Sequence, residues 1–253
     1  MVATINGVVL KKRSIGENDA IVTLLTEELG IIEAAARGVK RPKSKLNGAL
    51  QPFCYSELTL FHNKDRYSVT KATAIETFYN LRLDVTKVAL ADYLCELVCF
   101  LTPSQEHLLP IKRLLLNSFY LLKEDKKSTR FLKAVNEFRL ISMAGFMPDL
   151  VCCKECHAYE KSIFYFDLSR GCLLCDACKK DAISAYFCQL TPSVLAALRH
   201  IIYSSDDKLF SFTVSKDSAC LLSAITEKYV LYHTERSFKS LEIYHSLMEE
   251  IKE

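Results

Sequence analysis

Seven of the eleven cysteines in this 253-residue chain fall between positions 152 and 188. Two pairs among them, Cys153-x2-Cys156 and Cys175-x2-Cys178, are separated by 18 residues. A C-x2-C turn can aim both sulfurs at one ion, and a hairpin between two such turns brings the pairs together. Four thiolates close a tetrahedron around zinc and leave no position for a reacting water. The expectation is therefore one structural Zn2+ held by Cys153, Cys156, Cys175 and Cys178. Other residues compete for the frame: Cys172-x2-Cys175 is also a C-x2-C, Cys152 precedes Cys153, and His157 follows Cys156. The two matching turns favour the first set.

A second chemistry-bearing stretch lies far upstream. Arg37, Lys40, Arg41, Lys43 and Lys45 occur within nine residues, with no acidic residue among them. Gly38, Pro42 and Gly48 interrupt any regular element, so residues 36–53 read as a loop between two strand-like runs. A cationic loop held between strands suits a phosphate backbone. The bland alternative is a charge run that is only solvated surface. Lys11, Lys12 and Arg13, at a nearby strand end, would be helpers. Phe53, Tyr55 and Phe61 could stack bases, although aromatics on strands are more often core.

The net charge of +3 has its source here. Residues 1–80 contain 11 Lys or Arg against 8 Asp or Glu, whereas residues 81–253 contain 22 of each. A basic module joined to a neutral one points to a local anionic partner. The apolar start is short and its Lys11-Lys12-Arg13 cluster follows it, unlike a secretory signal. No run reaches the about 18 apolar residues that span a bilayer. The expected location is the cytoplasm, bacterial and nucleoid-associated when active, where cysteines stay as thiols or metal ligands. An enzyme is not expected. His233-Thr234-Glu235 has an H-x-E form, but zinc deaminases place it before a P-C-x-x-C, and here it comes after. No P-loop, G-x-G-x-x-G, H-E-x-x-H or G-x-S-x-G pattern is present.

The elements that must position these residues follow from periodicity. Runs at 4–10, 20–26, 31–36, 50–61 and 67–78 are rich in β-branched, aliphatic and aromatic residues, with turn formers between them. Within the fourth, Ser56, Leu58 and Leu60 alternate with Glu57 and Thr59. Five short strands in about 80 residues fit a closed barrel of the OB type, and an SH3-like barrel fits the same count. From residue 81 the period becomes helical. Apolar stripes run through Val85 to Leu101, Ile111 to Leu122 and Phe131 to Ile141. Thr191-Pro192 opens another helix as N-cap and first-turn proline, and a long last helix is predicted over residues 217–236. The fold class is α+β: an OB-type five-stranded barrel over residues 1–80, then a helical domain over 81–253 with a zinc-binding insertion at about 148–182.

Several stretches match a known pattern. Gly16-Glu17-Asn18-Asp19-Ala20-Ile21-Val22-Thr23-Leu24-Leu25-Thr26 looks like an early strand with the turn before it. Ala36-Arg37-Gly38-Val39-Lys40-Arg41-Pro42-Lys43-Ser44-Lys45-Leu46 is followed by Gly48 and Leu50-Gln51-Pro52-Phe53. Pro148-x-Leu150-x2-Cys153-x2-Cys156 leads into the cysteines, and Phe238-Lys239-Ser240 lies near the end. In these segments the chain resembles, nearly end to end, the bacterial RecO family of recombinational repair mediators. It departs where the family usually has Gly-Gly before the second C-x2-C, since this chain has Gly171-Cys172.

The resemblance implies an N-terminal OB fold, a helical domain and a zinc-binding insertion. It also implies binding of single- and double-stranded DNA and annealing of complementary strands. As partners it implies RecR, the C-terminal tail of single-strand-binding protein (SSB) and, indirectly, RecA. The competing reading is an RNA-binding OB protein with a structural zinc ribbon, separable by a strong preference for structured RNA over single-stranded DNA.

Overall fold

The computed structural model describes residues 2–64, 66–102, 108–179 and 186–250. Five strands, β1 (Val2–Ile15), β2 (Asp19–Thr26), β3 (Ile31–Ala36), β4 (Tyr55–Asn63) and β5 (Arg66–Glu76), close into a barrel in the order β1-β2-β3-β5-β4. All neighbours are antiparallel except β3 and β5, whose short parallel pairing, Ala34 with Tyr67 and Ala35 with Ser68, completes the circle. This connectivity is that of the OB barrel. Side chains at alternate positions point inward, so Val22 and Leu24 of β2 meet Leu58 and Leu60 of β4 in one core with Val9, Ile32 and Val69.

Two strands differ most from their predicted extents. β1 runs on to Ile15, so Lys11, Lys12 and Arg13 lie within the strand, paired with Thr23, Val22 and Ile21 of β2. A hairpin arm tolerates charge because one face stays in water. β4 begins at Tyr55, not at residue 50. Phe53 takes a left-handed backbone (φ 71°), which turns the chain before any ladder can start. The apolar residues read as a strand start, Leu50 and Phe53, are buried as loop anchors instead.

The chain divides into two compact units. The first runs through Lys126 and takes the chain back from Lys239. It therefore adds to the barrel a single 3-10 turn at Tyr79–Leu83 and three helices, α1 (Val85–Leu101), α2 (Leu108–Lys123) and the last helix, α6 (Lys239–Glu250). The Asp84 carboxylate caps α1 by accepting from the N–H groups of Thr86 and Lys87. Phe119 of α2 meets Phe53 and Phe78 edge-on, each at 5.6 Å between ring centroids. α6 packs on α1, and the Ser240 hydroxyl donates to Glu96. The predicted helices end at residue 236 and omit α6, although Leu241, Tyr244, Leu247 and Met248 recur at helical spacing within it.

The second unit, Lys127–Phe238, holds α3 (Thr129–Met143), α4 (Pro192–Tyr203) and α5 (Lys216–Thr234). It also holds a sheet of β6 (Asp149–Cys153), β7 (Phe164–Asp167), β8 (Cys172–Cys175) and β9 (Phe187–Leu190), ordered β6-β8-β7-β9. Thr191 caps α4 as its sequence predicts, accepting from the Val194 N–H with Pro192 in the first turn. Between α3 and α5 lies a polar knot that apolar periodicity cannot reveal. The Lys133 ammonium, 1 % exposed, sits 2.8 Å from Glu137 and 2.6 Å from Glu227. Thr226 donates to the other oxygen of Glu137, which is fully buried.

Removing one partner strands a buried charge, so Lys133→Met should lower unfolding stability in urea by about 3–5 kcal/mol. Lys133→Met/Glu137→Leu, which removes the two fully buried charges and leaves only the partly exposed Glu227 without its cation, should recover part of that loss.

Candidate nucleic-acid interface and metal site

Residues 36–53 span the gap between β3 and β4, and apolar side chains decide how they fold. Val39, Leu50 and Cys54 are buried in the barrel core, with Leu46 packed against it. The backbone between them is a chain of turns: the Arg41 N–H donates to Gly38 O, Ser44 to Arg41 O, and Leu50 to Leu46 O. Gly38, at φ +64°, presents its N–H to the Asp19 carboxylate at 2.7 Å. The Lys40 N–H donates to Asn18 O and its ammonium to Gly16 O, tying the root of the loop to the β1–β2 turn. At the far end, the half-buried Arg82 guanidinium donates to Pro52 O at 2.7 Å and to Cys54 Sγ at 3.1 Å.

With its apolar side inward, the loop leaves its charge outside. Arg37, Lys40, Arg41, Lys43 and Lys45 are all exposed. Among the described residues none of the five is in an ion pair. The nearest carboxylate bound to the loop, Asp19, is engaged by a backbone N–H and not by a cation. On the adjoining arm Lys11 and Arg13 are exposed, whereas Lys12 is half-buried and donates to Asn47 Oδ1 at 3.0 Å. Burial draws the Lys12 ammonium below its ordinary range, with Cys54 opposing and the charge of Lys40 adding to the fall. Lys12 thus braces the loop as well as adding charge to it.

The three aromatics separate. Phe53 is core. Tyr55 is half-buried under the Lys112 ammonium, 5.9 Å from the ring centroid. Phe61 alone of the three lies open, 42 % exposed. Arg66, at the start of β5, was not singled out by sequence. Its proximity to Arg37 depends on the β3–β5 pairing, which leaves no local trace in the chain.

The four cysteines come together in the second unit. Cys153 ends β6, Cys175 ends β8, and the turns that follow deliver Cys156 and Cys178, all four sulfurs lying within 4.8 Å of one another. Backbone bonds shape both turns: the His157 N–H donates to Cys153 O, and the N–H groups of Cys178 and Lys179 to Cys175 O. The Cys175 N–H points at Cys153 Sγ, 3.3 Å away. The rival frames fail for a geometric reason. Cys172 and Cys175 lie three apart on one strand, and Cys152 and Cys153 one apart on another, so each pair faces opposite sides of the sheet. Among the described residues neither Cys152, Cys172 nor His157 joins the group.

The donor set fits a cation. Burial pushes the Cys153 thiol up, but the N–H groups of Cys156, Cys175 and Glu155 outweigh it and bring the thiol down to about 6. Cys178, hydrogen-bonded to the sulfurs of Cys175 and Cys156, is held up at about 12. Cys153 is thus stabilised as a thiolate by backbone N–H groups alone, and a metal ion would have to displace the proton that Cys178 holds.

The β7–β8 hairpin sets the spacing. Asp167 Oδ1 accepts from the Ser169 N–H and hydroxyl and from the Arg170 N–H. Gly171 sits at φ +58°, and a Cβ there would come within 2.7 Å of Tyr229 Oη. Cys172 has already entered β8, so the residue that needs to be glycine is Gly171, and a cysteine after it is accommodated. His233 supports the same turn, its Nε2 lying 3.0 Å from Leu168 O and its ring packed on Phe146 and Tyr229. Burial draws its pKa below the ordinary value. It is a polar position on α5 serving as a brace.

An OB barrel with an outward-facing cationic loop, followed by helices and a four-cysteine cluster, defines the class. Residues 1–78 match the family model described as Recombination protein O N terminal, and residues 82–242 the one described as Recombination protein O C terminal. The chain is 31% identical over 242 residues to a DNA repair protein RecO of Acetivibrio thermocellus, covering 96% of each. It is 30% identical over 246 residues to one of Symbiobacterium thermophilum, covering 96% of each. With one of Alkaliphilus metalliredigens it shares 28% identity over 244 residues, covering 96% of this chain and 98% of the relative. The chain belongs to the RecO family of DNA repair proteins. No helix among the described residues is long and apolar enough to cross a membrane.

The sulfur geometry generates a direct test. Purified protein should carry about one metal ion per chain by elemental analysis. Cys175→Ser should lose it, while Cys172→Ser, whose sulfur lies outside the group, should keep it.

Proposed function

We propose that this chain is a DNA-binding recombination mediator without an active site. It binds single- and double-stranded DNA and anneals complementary strands. With RecR it helps load RecA onto DNA coated by SSB, whose acidic, hydrophobic C-terminal tail it engages. The single observation that carries the reading is the set of five loop cations, exposed and without ion pairs among the described residues. Phosphate oxygens are the ligands such a surface lacks. Lys11, Lys12 and Arg13 on the β1–β2 arm extend it.

Annealing by this means needs no bond-making. Neutralising two backbones lowers their mutual repulsion and raises the local concentration of complements. The cations carry no base-reading pattern, so affinity should be insensitive to sequence and steep in salt. If all five contact phosphates, log affinity should fall against log salt with a slope of about −3.5 for single strands and about −4.5 for duplex. The four cysteines are assigned to a structural zinc ion that ties the β6 and β8 turns together. A four-thiolate shell leaves no coordination position for substrate, which agrees with a scaffold role.

The decisive experiment is annealing of SSB-coated complementary oligonucleotides. Lys40, Arg41, Lys43 and Lys45 all changed to alanine should give a folded, metal-retaining protein with annealing lost and the salt slope reduced. Undiminished annealing would place the DNA elsewhere and overturn the reading.

A further inference from the structure

We infer that the outer face of the barrel beside the cationic loop holds a subsite for an unpaired nucleobase, stacked on Phe61 between Arg37 and Arg66. The inference rests on the DNA-binding reading above and adds to it a means of telling single strands from duplex.

Three adjacent strands build this face. Outward positions recur every second residue, so β3 contributes Ala35 with Arg37 just beyond its end, β5 contributes Arg66, Ser68 and Thr70, and β4 contributes Phe61. They line an open groove of about 600 Å³, within the range of about 300–1,000 Å³ typical of small-molecule sites. Its middle is made of small side chains, Ala35, Ser68 and Thr70, which leave room above the sheet. Phe61 rises beside them, directly opposite Ser68 in the ladder.

An exposed phenylalanine alone would mean little, since single apolar residues are common on surfaces. Here it is flanked by two exposed arginines, and among the described residues neither is in an ion pair. Arg37 is also the first cation of the loop, so the groove continues the phosphate-binding surface. An aromatic face with free guanidinium groups at its edges complements one nucleotide: a flat ring to stack and a phosphate to either side. A base inside a duplex offers no free face, which makes the subsite selective for single strands.

The test uses oligo(dT) and a duplex of equal length at fixed salt. Phe61→Ala should weaken oligo(dT) binding about 5- to 150-fold, the range of one lost aromatic–base stack. It should leave duplex affinity and the single-strand salt slope unchanged, because stacking releases no counterions. The side chain is substantially exposed, so the variant should keep the wild-type melting profile. The chain has no tryptophan, so Phe61→Trp supplies a single reporter. It should retain oligo(dT) binding, and its emission should be quenched by oligo(dT) and not by duplex. If wild type binds both DNAs and Phe61→Ala is indistinguishable from it, or the Trp emission does not respond, the groove is overturned and the loop reading stands. If wild type binds neither DNA, the DNA-binding reading falls first.

Discussion

The chain must cross from β3 to β4, which are not neighbours in the barrel, and the segment that makes the crossing is also the most cationic in the chain. Val39, Leu46, Leu50 and Cys54 are drawn to the core, and the residues between them have to point away. Burying a lysine or arginine without a partner costs far more than these few apolar contacts return, so the anchors decide the orientation of every charge on the loop. The turn-by-turn backbone bonds from Gly38 to Leu50 then hold that arrangement in place. A flexible cationic tail would carry the same charge. It would lose conformational freedom on meeting a polyanion, a cost that a loop already folded onto the barrel largely avoids.

The same logic, with different chemistry, governs the cysteine element. A four-stranded sheet of four- and five-residue strands buries little by itself. Phe166 enters an aromatic group with Phe138 of α3 and Tyr229 of α5, and Tyr229 also donates to Phe146 O. The hairpin turn is fixed by Asp167 from within and by His233 from α5. The thiols are thus brought together largely by packing and hydrogen bonds outside the cluster, with the Cys175 N–H to Cys153 Sγ contact added within it. A metal ion would join turns already adjacent, closing the loop between the two C-x2-C pairs and adding its binding free energy to folding.

Local patterns were read correctly wherever the physics is local. Two C-x2-C turns, a Thr-Pro helix start, a glycine- and proline-broken run of cations and the period-2 alternation of Ser56, Leu58 and Leu60 each state their structure within a few residues. The misreadings share one cause. Leu50 and Phe53 look like a strand because they are apolar, and whether an apolar residue pairs in a ladder or plugs an end depends on what faces it. The burial of Lys133 and Glu137, on which the sequence is silent, likewise depends on Glu227 and Thr226 of α5.

By itself, then, the sequence determined the order of the five barrel strands and of the first five helices along the chain, the sign and location of the excess charge, and which cysteines could make matched turns. It did so because helix and strand periods, caps and turn residues act over a handful of positions. Only the tertiary structure decided that Cys172 points away from the other sulfurs, that Phe53 is core while Phe61 is open, and that Arg66 comes to lie across a groove from Arg37. Those outcomes depend on pairings between residues tens of positions apart, and a pairing across that distance has no signature in either partner's neighbourhood.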